Sequence, residues 1–403
     1  MHDSGTIPES AGRAEAPGGV DGEGVEPRTS AAAAHTTGLV RGFVRRLLLS
    51  EYFVLWLMII YFLALLPFLP SLSNPANLAN ILSNVWPLLA VAVGQTFVLT
   101  IAGIDLSQGA VVGLTSVVLG MLVATQASPE ILSNASIWGS ILTEEGGLFN
   151  GLAFAVPAAI AVMLAVGAVV GLFNGVAVAY FRMPAFMVTL VSLIVFSAFA
   201  LWITQSENIS DFPPGLVSLG KSPIVSVFLG AAAESRVLRR ELYPIVTYPM
   251  LISLALAISA HFLLSRTTFG RHVFAIGLNR KAAEISGVPA ARVIVLVFVI
   301  SGFCAAVGSL LYSTRLETGM PSLGQGAFLL DVIGATVIGG ISLFGGKAKI
   351  VWTFLGVLFF ALLSNTLNLM NLSSFHIDMM KGAVILSAAL LDATRRRIMA
   401  REG

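Results

Sequence analysis

Residues Ser265–Arg292 read SRTTFGRHVFAIGLNRKAAEISGVPAAR, a polar interval between two long apolar segments that holds five of the chain's 23 basic residues. Within it, NRKAAEISG reads as a very short helix with both ends specified. Asn279 caps the first turn through its side-chain oxygen, and Gly287 takes the left-handed stop. Pro289 then opposes continuation. Roughly seven residues at about 1.5 Å each make about 10 Å of helix, well under the ~12 residues an isolated helix needs in water, so this one has to lean on something. Two readings stand. In one, the interval is a solvated connection whose helix packs on its own protein. In the other, the helix docks in a groove of a cytoplasmic partner and passes force to the rest of the chain.

Working outward, the composition sets the solvent. Of 403 residues, 56% are hydrophobic and 11% charged, with a mean hydropathy of +0.89. A soluble domain carries about 25% charged residues, so this is an all-α, polytopic membrane protein whose partner on most of its surface is the lipid bilayer. A net charge of +2, with no basic run interleaved with aromatics, excludes a nucleic-acid partner. The single cysteine, Cys304, lies in an apolar segment, can form no intrachain disulfide and reads as inert packing.

Apolar runs that cross a ~30 Å hydrocarbon layer need about 17 to 25 residues. Ten segments qualify, at about 52–70, 85–103, 106–125, 152–181, 185–204, 244–264, 293–313, 327–344, 349–370 and 376–392. With the amino terminus in the cytoplasm, the even count returns the carboxyl tail, with Arg395, Arg396, Arg397 and Arg401, to the same side. Parity also places Arg182, the basic residues of the 265–292 interval, Lys347 and Lys349 in the cytoplasm. Lys221, Arg236, Arg239, Arg240 and Arg315 fall outside, mostly in a long loop whose charges count less. Residues 1–40 carry six acidic and two basic residues and almost no large apolar ones. That composition cannot bury a core and predicts a disordered cytoplasmic tail, followed at 41–397 by the transmembrane domain. No apolar core follows a basic start within the first ~30 residues, which excludes a signal peptide.

Two turns resemble each other. Ile101-Ala102-Gly103-Ile104-Asp105-Leu106 with Gly109 matches Ile338-Gly339-Gly340-Ile341-Ser342-Leu343 with Gly346. Chance is one explanation of so short and glycine-rich a match. The functional one is an internal repeat with broken helices, which expose backbone dipoles to a substrate near the bilayer midplane. The first turn carries Asp105 and no basic residue, so it either reaches water or dips into the membrane and returns. Two external loops, 126–151 and 205–243, have lengths that are uncommon unless a loop binds something or is mobile. The second ends in ESRVLRREL, which reads as a short amphipathic helix.

For chemistry, no GxxxxGK[ST] phosphate loop occurs, so the chain does not hydrolyse ATP that way. The five histidines are scattered and converge on no metal site, and there is no nucleophile elbow for Ser/His/Asp catalysis. The reading is a transport subunit and not an enzyme. Asp105, Asp331 and Lys381 are ionisable groups at or near membrane depth, candidates by default or else interfacial and solvated. The interior otherwise offers uncharged polar groups: Gln95, Thr96, Asn174, Thr189, Ser192, Asn365, Thr366 and Asn368. These can hydrogen-bond a hydroxylated solute, or simply join helix to helix. An ion-coupled secondary transporter of a small polar solute is the alternative class, although such a carrier is expected to hold a buried carboxylate or histidine relay across its centre.

Four blocks carry a family resemblance: AGIDLSQGAVVGL (102–114), GLFNGVAVAYFRMPAFMVTL (171–190), TTFGRHVFAIGLNRKAAEISGV (267–288) and GMPSLGQGAFLLDVIGATVIGGISLFGGKA (319–348). From about Pro75 to Arg397 the chain resembles the permease subunit of bacterial ATP-binding-cassette importers of the ribose/xylose/galactose type. That family presents a coupling helix with an E-A-A-x-x-x-G core to its ATPase. Here the core reads Lys281-Ala282-Ala283-Glu284-Ile285-Ser286-Gly287, with lysine in place of the leading acid. Where the family has Glu-Leu-Asp-Ala-Ile-Ala, this chain has Leu329-Leu330-Asp331-Val332-Ile333-Gly334. After PAFMVTL, the family's glycine and later arginine are Val191 and Ser197. The resemblance implies an inner-membrane permease that binds no cofactor itself, with ATP on a cytoplasmic ATPase, a solute-binding protein outside, and a second permease copy or similar chain. It implies coupling through Asn279, Lys281, Ala282, Ala283, Glu284 and Gly287. Pathway candidates are Gln95, Asn174, Thr189, Asp331 and Asn365.

Overall fold

The computed structural model describes residue 50, residues 52–228 and residues 242–402. The expected disordered tail, Arg41, Arg45, Arg46, Arg236, Arg239, Arg240 and all of ESRVLRREL but its last residue lie outside the described residues. Helices dominate. In chain order they are α1 (Phe53–Leu65), α2 (Pro75–Thr100), α3 (Gln108–Val123), α4 (Pro129–Leu132), α5 (Ala155–Ala179), α6 (Ala185–Thr204), α7 (Pro214–Lys221), α8 (Tyr248–Arg266), α9 (Thr268–Leu278), α10 (Arg280–Ile285), α11 (Ala290–Leu316), α12 (Phe328–Gly339), α13 (Ile350–Leu369) and α14 (Ser374–Glu402). Two small antiparallel hairpins, β1 (Leu142–Thr143) with β2 (Gly146–Gly147) and β3 (Pro223–Phe228) with β4 (Leu242–Thr247), depart from a purely helical chain.

Each of the ten apolar segments holds a helix, but among the described residues six are long and apolar enough to cross a membrane: α2, α5, α6, α8, α11 and α13. The apolar helices α1, α3 and α12 are shorter, at 13, 16 and 12 residues. The segment at 327–344 loses a third of its length to a turn, because Gly339 and Gly340 stop α12, Gly340 at φ +106°. Apolarity alone does not separate helix from turn. Conversely, α2 starts ten residues before the apolar run does. Asn74 caps it by accepting from the Ala76 N–H at 2.9 Å, and Pro75 takes the first position, where no N–H is needed.

The core is built on α2 and α11. Of their apolar windows 83% and 72% are buried, against 28% for α5, α6 and α8, which places the first two at the centre. Buried Cys304 sits in this centre, on α11 against Gly94 of α2. At the α5–α11 crossing the two backbones approach closely. Gly167, Gly171 and Gly175 recur every fourth residue on α5 and face Gly302, Phe298 and Val295 of α11. A Cβ at Gly171 would be driven into the Phe298 carbonyl, and one at Gly302 into the Gly167 carbonyl. Small residues at this spacing let two backbones approach where helix association rests on van der Waals packing rather than on the hydrophobic effect. Gly171→Leu is therefore expected to cost about 3 kcal/mol or more and to abolish recovery of monodisperse protein in detergent, read by size exclusion.

The end of the bundle opposite α10 is closely tied. Residues 147–149 run beside the end of α3, where the N–H groups of Gly147, Leu148 and Phe149 donate to the carbonyls of Ala124, Met121 and Leu122 at 2.8, 3.1 and 2.8 Å. These are carbonyls that a helix end leaves unsatisfied, so the 126–151 loop is a docked structure rather than a mobile tether. Arg315 of α11 donates to Asn80, Ser83 and Asn84 of α2 at 3.3, 3.1 and 2.8 Å. Lys221 pairs with Glu317, and Ile209 pairs with Gly319 in an isolated backbone bridge.

Candidate functional site: the α9–α10 elbow and the buried polar cluster

The short helix forms as its sequence dictates. The Ala282 N–H donates to Asn279 Oδ1 at 3.0 Å. At the other end, Gly287 lies at φ +84°. Its N–H donates to the Glu284 carbonyl at 3.1 Å, and the Val288 N–H donates to the Ala283 carbonyl at 3.0 Å. That crossed pair is the Schellman stop, which needs a left-handed residue at its centre and is accompanied by apolar packing of Val288 and Ala283 into the core. The helix is six residues long. It leans on its own protein through one buried side chain, Ala283 at 5% exposure, and through Arg280. That guanidinium donates to Glu284 at 2.9 Å and to the Ala179 carbonyl, the last residue of α5, at 3.4 Å. Glu284 thus orients a cation onto a helix carboxyl end, where positive charge is favoured.

The other side of α10 is uncovered. Lys281, Ala282, Ser286 and Gly287 are exposed, and Ile285 is 88% exposed, the highest value for a large apolar side chain among the described residues. Leu278, just before the cap, is 75% exposed. Ile285 was not among the candidate site residues read from the sequence. Its signal was present as a lone branched aliphatic residue inside a polar helix of which one face alone can be buried.

An element unforeseen in the sequence carries α10. Residues 268–278 form α9, capped by Thr267, whose Oγ1 accepts from the Gly270 N–H at 3.2 Å. Gly270, Val273 and Ile276 form its buried face, and its tip meets the inner ends of two other elements. A Cβ on Gly277 would collide with the Thr100 carbonyl and lie 2.7 Å from the Gly346 N–H nitrogen. That same Gly346 N–H donates to the Thr100 carbonyl at 2.9 Å. The two turns that match in sequence therefore touch each other under α9: a Cβ on Gly345 would stand 2.8 Å from the Ala102 nitrogen. They also share devices. Each follows a Schellman stop, Gly103 N–H to Val98 carbonyl in one and Ile341 N–H to Thr336 carbonyl in the other. Asp105 Oδ1 accepts from the N–H two residues on, at 2.9 Å, as Ser342 Oγ does at 3.1 Å.

Asp105 is not solvated at an interface. It is 1% exposed and lies in a polar cluster drawn from four elements. Its Oδ1 also accepts from Ser107 Oγ at 2.6 Å, and its Oδ2 from Ser301 Oγ of α11 at 2.6 Å. Gln108 Nε2 donates to Ser301 Oγ at 2.9 Å, and Asn174 of α5 donates to Ser107 Oγ at 2.8 Å. Ser192 of α6 donates in turn to Asn174 Oδ1. Hydroxyls and amides, rather than a cation, satisfy this carboxylate. The donors are oriented toward it in an arrangement in which each member holds the next.

The five pathway candidates divide. Asn174 belongs to the Asp105 cluster. Thr189 donates within α6, to the Ala185 carbonyl at 2.9 Å, and reaches the Ile104 carbonyl at 3.1 Å. Asn365 of α13 and Asn77 of α2 exchange amide hydrogen bonds at 2.8 and 3.0 Å. Asp331 of α12 pairs with Lys381 of α14 at 2.8 Å, so the two ionisable groups flagged separately in the sequence neutralise each other. Gln95 stands apart: it is fully buried on α2, and among the described residues no group pairs with either of its amide atoms. The structure does not bring these five residues into a single cavity. It brings Asn174 and Thr189 to the 101–107 turn and leaves Asn365 and Asp331 elsewhere.

A multi-pass helical protein that offers a short capped helix on one face, and uncharged polar groups within, has the design of a membrane permease, a transport component rather than an enzyme. Its sequence agrees. Over residues 77–389 the chain matches the family described as branched-chain amino acid transport system / permease component, and it belongs to that family. It is 32% identical over 325 residues to a ribose import permease protein of Bacillus subtilis, covering 80% of this chain and 86% of the relative. It is 30% identical over 364 residues to a xylose transport system permease protein of Escherichia coli, again covering 80% and 86%. A ribose import permease protein of Haemophilus influenzae is 30% identical over 327 residues, covering 80% and 87%. No solved structure matches.

Proposed function

We propose that this chain is the membrane-spanning permease subunit of an ATP-binding-cassette importer of the bacterial inner membrane, and that its cargo is a sugar or a similar small hydroxylated solute. The observation that supports this best is α10: anchored by Ala283 and Arg280, it turns Ile285 outward into what would be water. An apolar side chain held in that position is suited to a pocket on another protein. The relatives named for ribose and xylose direct the choice of cargo.

In this reading the chain binds no cofactor. ATP is bound and hydrolysed by a cytoplasmic ATPase that grips α10, with Asn279, Ala283 and Gly287 fixing the helix, Glu284 aiming Arg280, and Lys281, Ala282 and Ile285 at the contact. Motion passes through α9 to the paired turns at 101–109 and 338–346, the broken ends of two related halves. Asn174 and Thr189 lie beside that moving turn, Gln95 lies on the central helix, and Asp331 and Asn365 flank the passage further along. Ten segments cross the membrane, and both termini are cytoplasmic. A second permease copy or a similar chain completes the passage, and the docked 126–151 loop on the far side receives an extracytoplasmic solute-binding protein.

The test is uptake of labelled ribose and xylose into proteoliposomes holding the chain, its cassette ATPase and its binding protein. Uptake is expected with ATP and absent when a proton or sodium gradient acts on the chain alone. Gradient-driven uptake by the chain alone would overturn the cassette reading. ATP-driven uptake of leucine without either pentose would keep the motor and replace the cargo.

A further inference from the structure

Among the described residues, four buried side-chain polar atoms have no hydrogen-bond partner: both amide atoms of Gln95, Gln108 Oε1 and Asp331 Oδ1. Three of the four belong to two glutamines, Gln95 on α2 and Gln108 at the start of α3. Gln95 sits on α2 one turn after Val91, whose carbonyl accepts from Gln108 Nε2 at 3.3 Å. The intervening Gly94 packs its Cα side against the same Gln108 amide, 3.0 Å from where a Cβ would stand. The remaining polar groups of the interior are engaged with protein partners, as Asn174, Thr189 and Asn365 illustrate. A buried amide without protein partners is costly, and the few that native proteins keep call for a reason.

An amide presents two donors and an acceptor with two lone pairs. A sugar hydroxyl is donor and acceptor at once, so one amide can both give to and receive from a pair of adjacent hydroxyls. Resting on the importer reading above, we propose that Gln95 is the side chain that hydrogen-bonds hydroxylated cargo in transit, with Gln108 Oε1 as a second acceptor, and that it is a specificity-determining residue of the passage. In the conformation described, Gln95 is fully buried and the passage is closed at this level. When the helices packed around α2 part, the amide exchanges its unpaired state for contact with cargo. It therefore favours the open, loaded state over the closed, empty one, a differential interaction of the kind a ligand needs to shift a conformational equilibrium.

The test replaces Gln95 by Met and, separately, by Leu, which keep bulk and remove the amide. A structural polar group and a cargo-reading one move two readouts in different directions. For a cargo-reading amide, the variants are expected to melt in detergent at the same or a higher temperature than the unaltered chain, while ATP-driven uptake of labelled ribose or xylose falls at least tenfold. A lower melting temperature in both variants would mean that the amide is held by the fold, and would overturn the proposal. Unchanged uptake would overturn it as well and leave the importer reading standing. If the unaltered chain takes up neither pentose under ATP, the sugar reading fails and the proposal fails with it.

Discussion

Ile285→Glu is expected to reduce ATP-driven uptake at least ~100-fold in a chain that still inserts, folds and melts normally. The side chain is almost wholly exposed in the isolated subunit, so the substitution removes no packing from it, and exposed replacements usually change stability by under ~0.5 kcal/mol. In the assembled importer the same side chain would sit in a pocket on the ATPase. Truncating a central apolar anchor costs about 2–4 kcal/mol of binding, and burying an uncompensated carboxylate there adds to it. Co-purification of the ATPase and melting of the subunit, measured on one preparation, separate loss of docking from loss of fold. Full ATPase retention with normal uptake would remove α10 from the coupling interface.

Asp105→Ala, by contrast, is expected to act on the fold. Three donors converge on this carboxylate within 2.9 Å, and its removal leaves Ser107 and Ser301 without their acceptor inside a buried cluster. A buried donor left without its acceptor costs about 1–3 kcal/mol, and shared networks are not additive, so a loss of about 3 kcal/mol is the expectation. The measurement is a melting curve in detergent together with the amount of subunit accumulated in the membrane. Asn at the same position retains shape and one acceptor and should lie between the two.

What the sequence could disclose followed the range of the interactions. Both ends of α10 were legible because a cap and a Schellman stop are written in residues at most six apart. Gly287 has no competing reason to stand where it does. The α9 helix was not legible as such. Its buried face is Gly270, Val273 and Ile276, and two glycines in eleven residues mask an amphipathic pattern, although Thr267 offered a cap. Asp105 was visible as an ionisable residue in a turn without basic neighbours, which leaves water and protein equally open as its surroundings. Protein won because Ser301, 196 residues away, donates to it and Asn174 holds its neighbour Ser107 across 67 residues, and nothing local encodes that meeting. The pairing of Asp331 with Lys381 was hidden for the same reason. Ile285 could have been singled out from composition alone, had the question been which residue on so small a helix is left without cover.

The one thiol in the chain lies sealed between α2 and α11, with no exposed surface. For spectroscopy this makes the natural sequence a silent background: a maleimide dye or spin label offered to the folded protein finds nothing native to react with. A cysteine introduced at Leu278 or Lys281, both exposed, would be the sole reporter on the moving face. Distances between two such reporters in a paired assembly could then be followed through the nucleotide cycle without first engineering anything away.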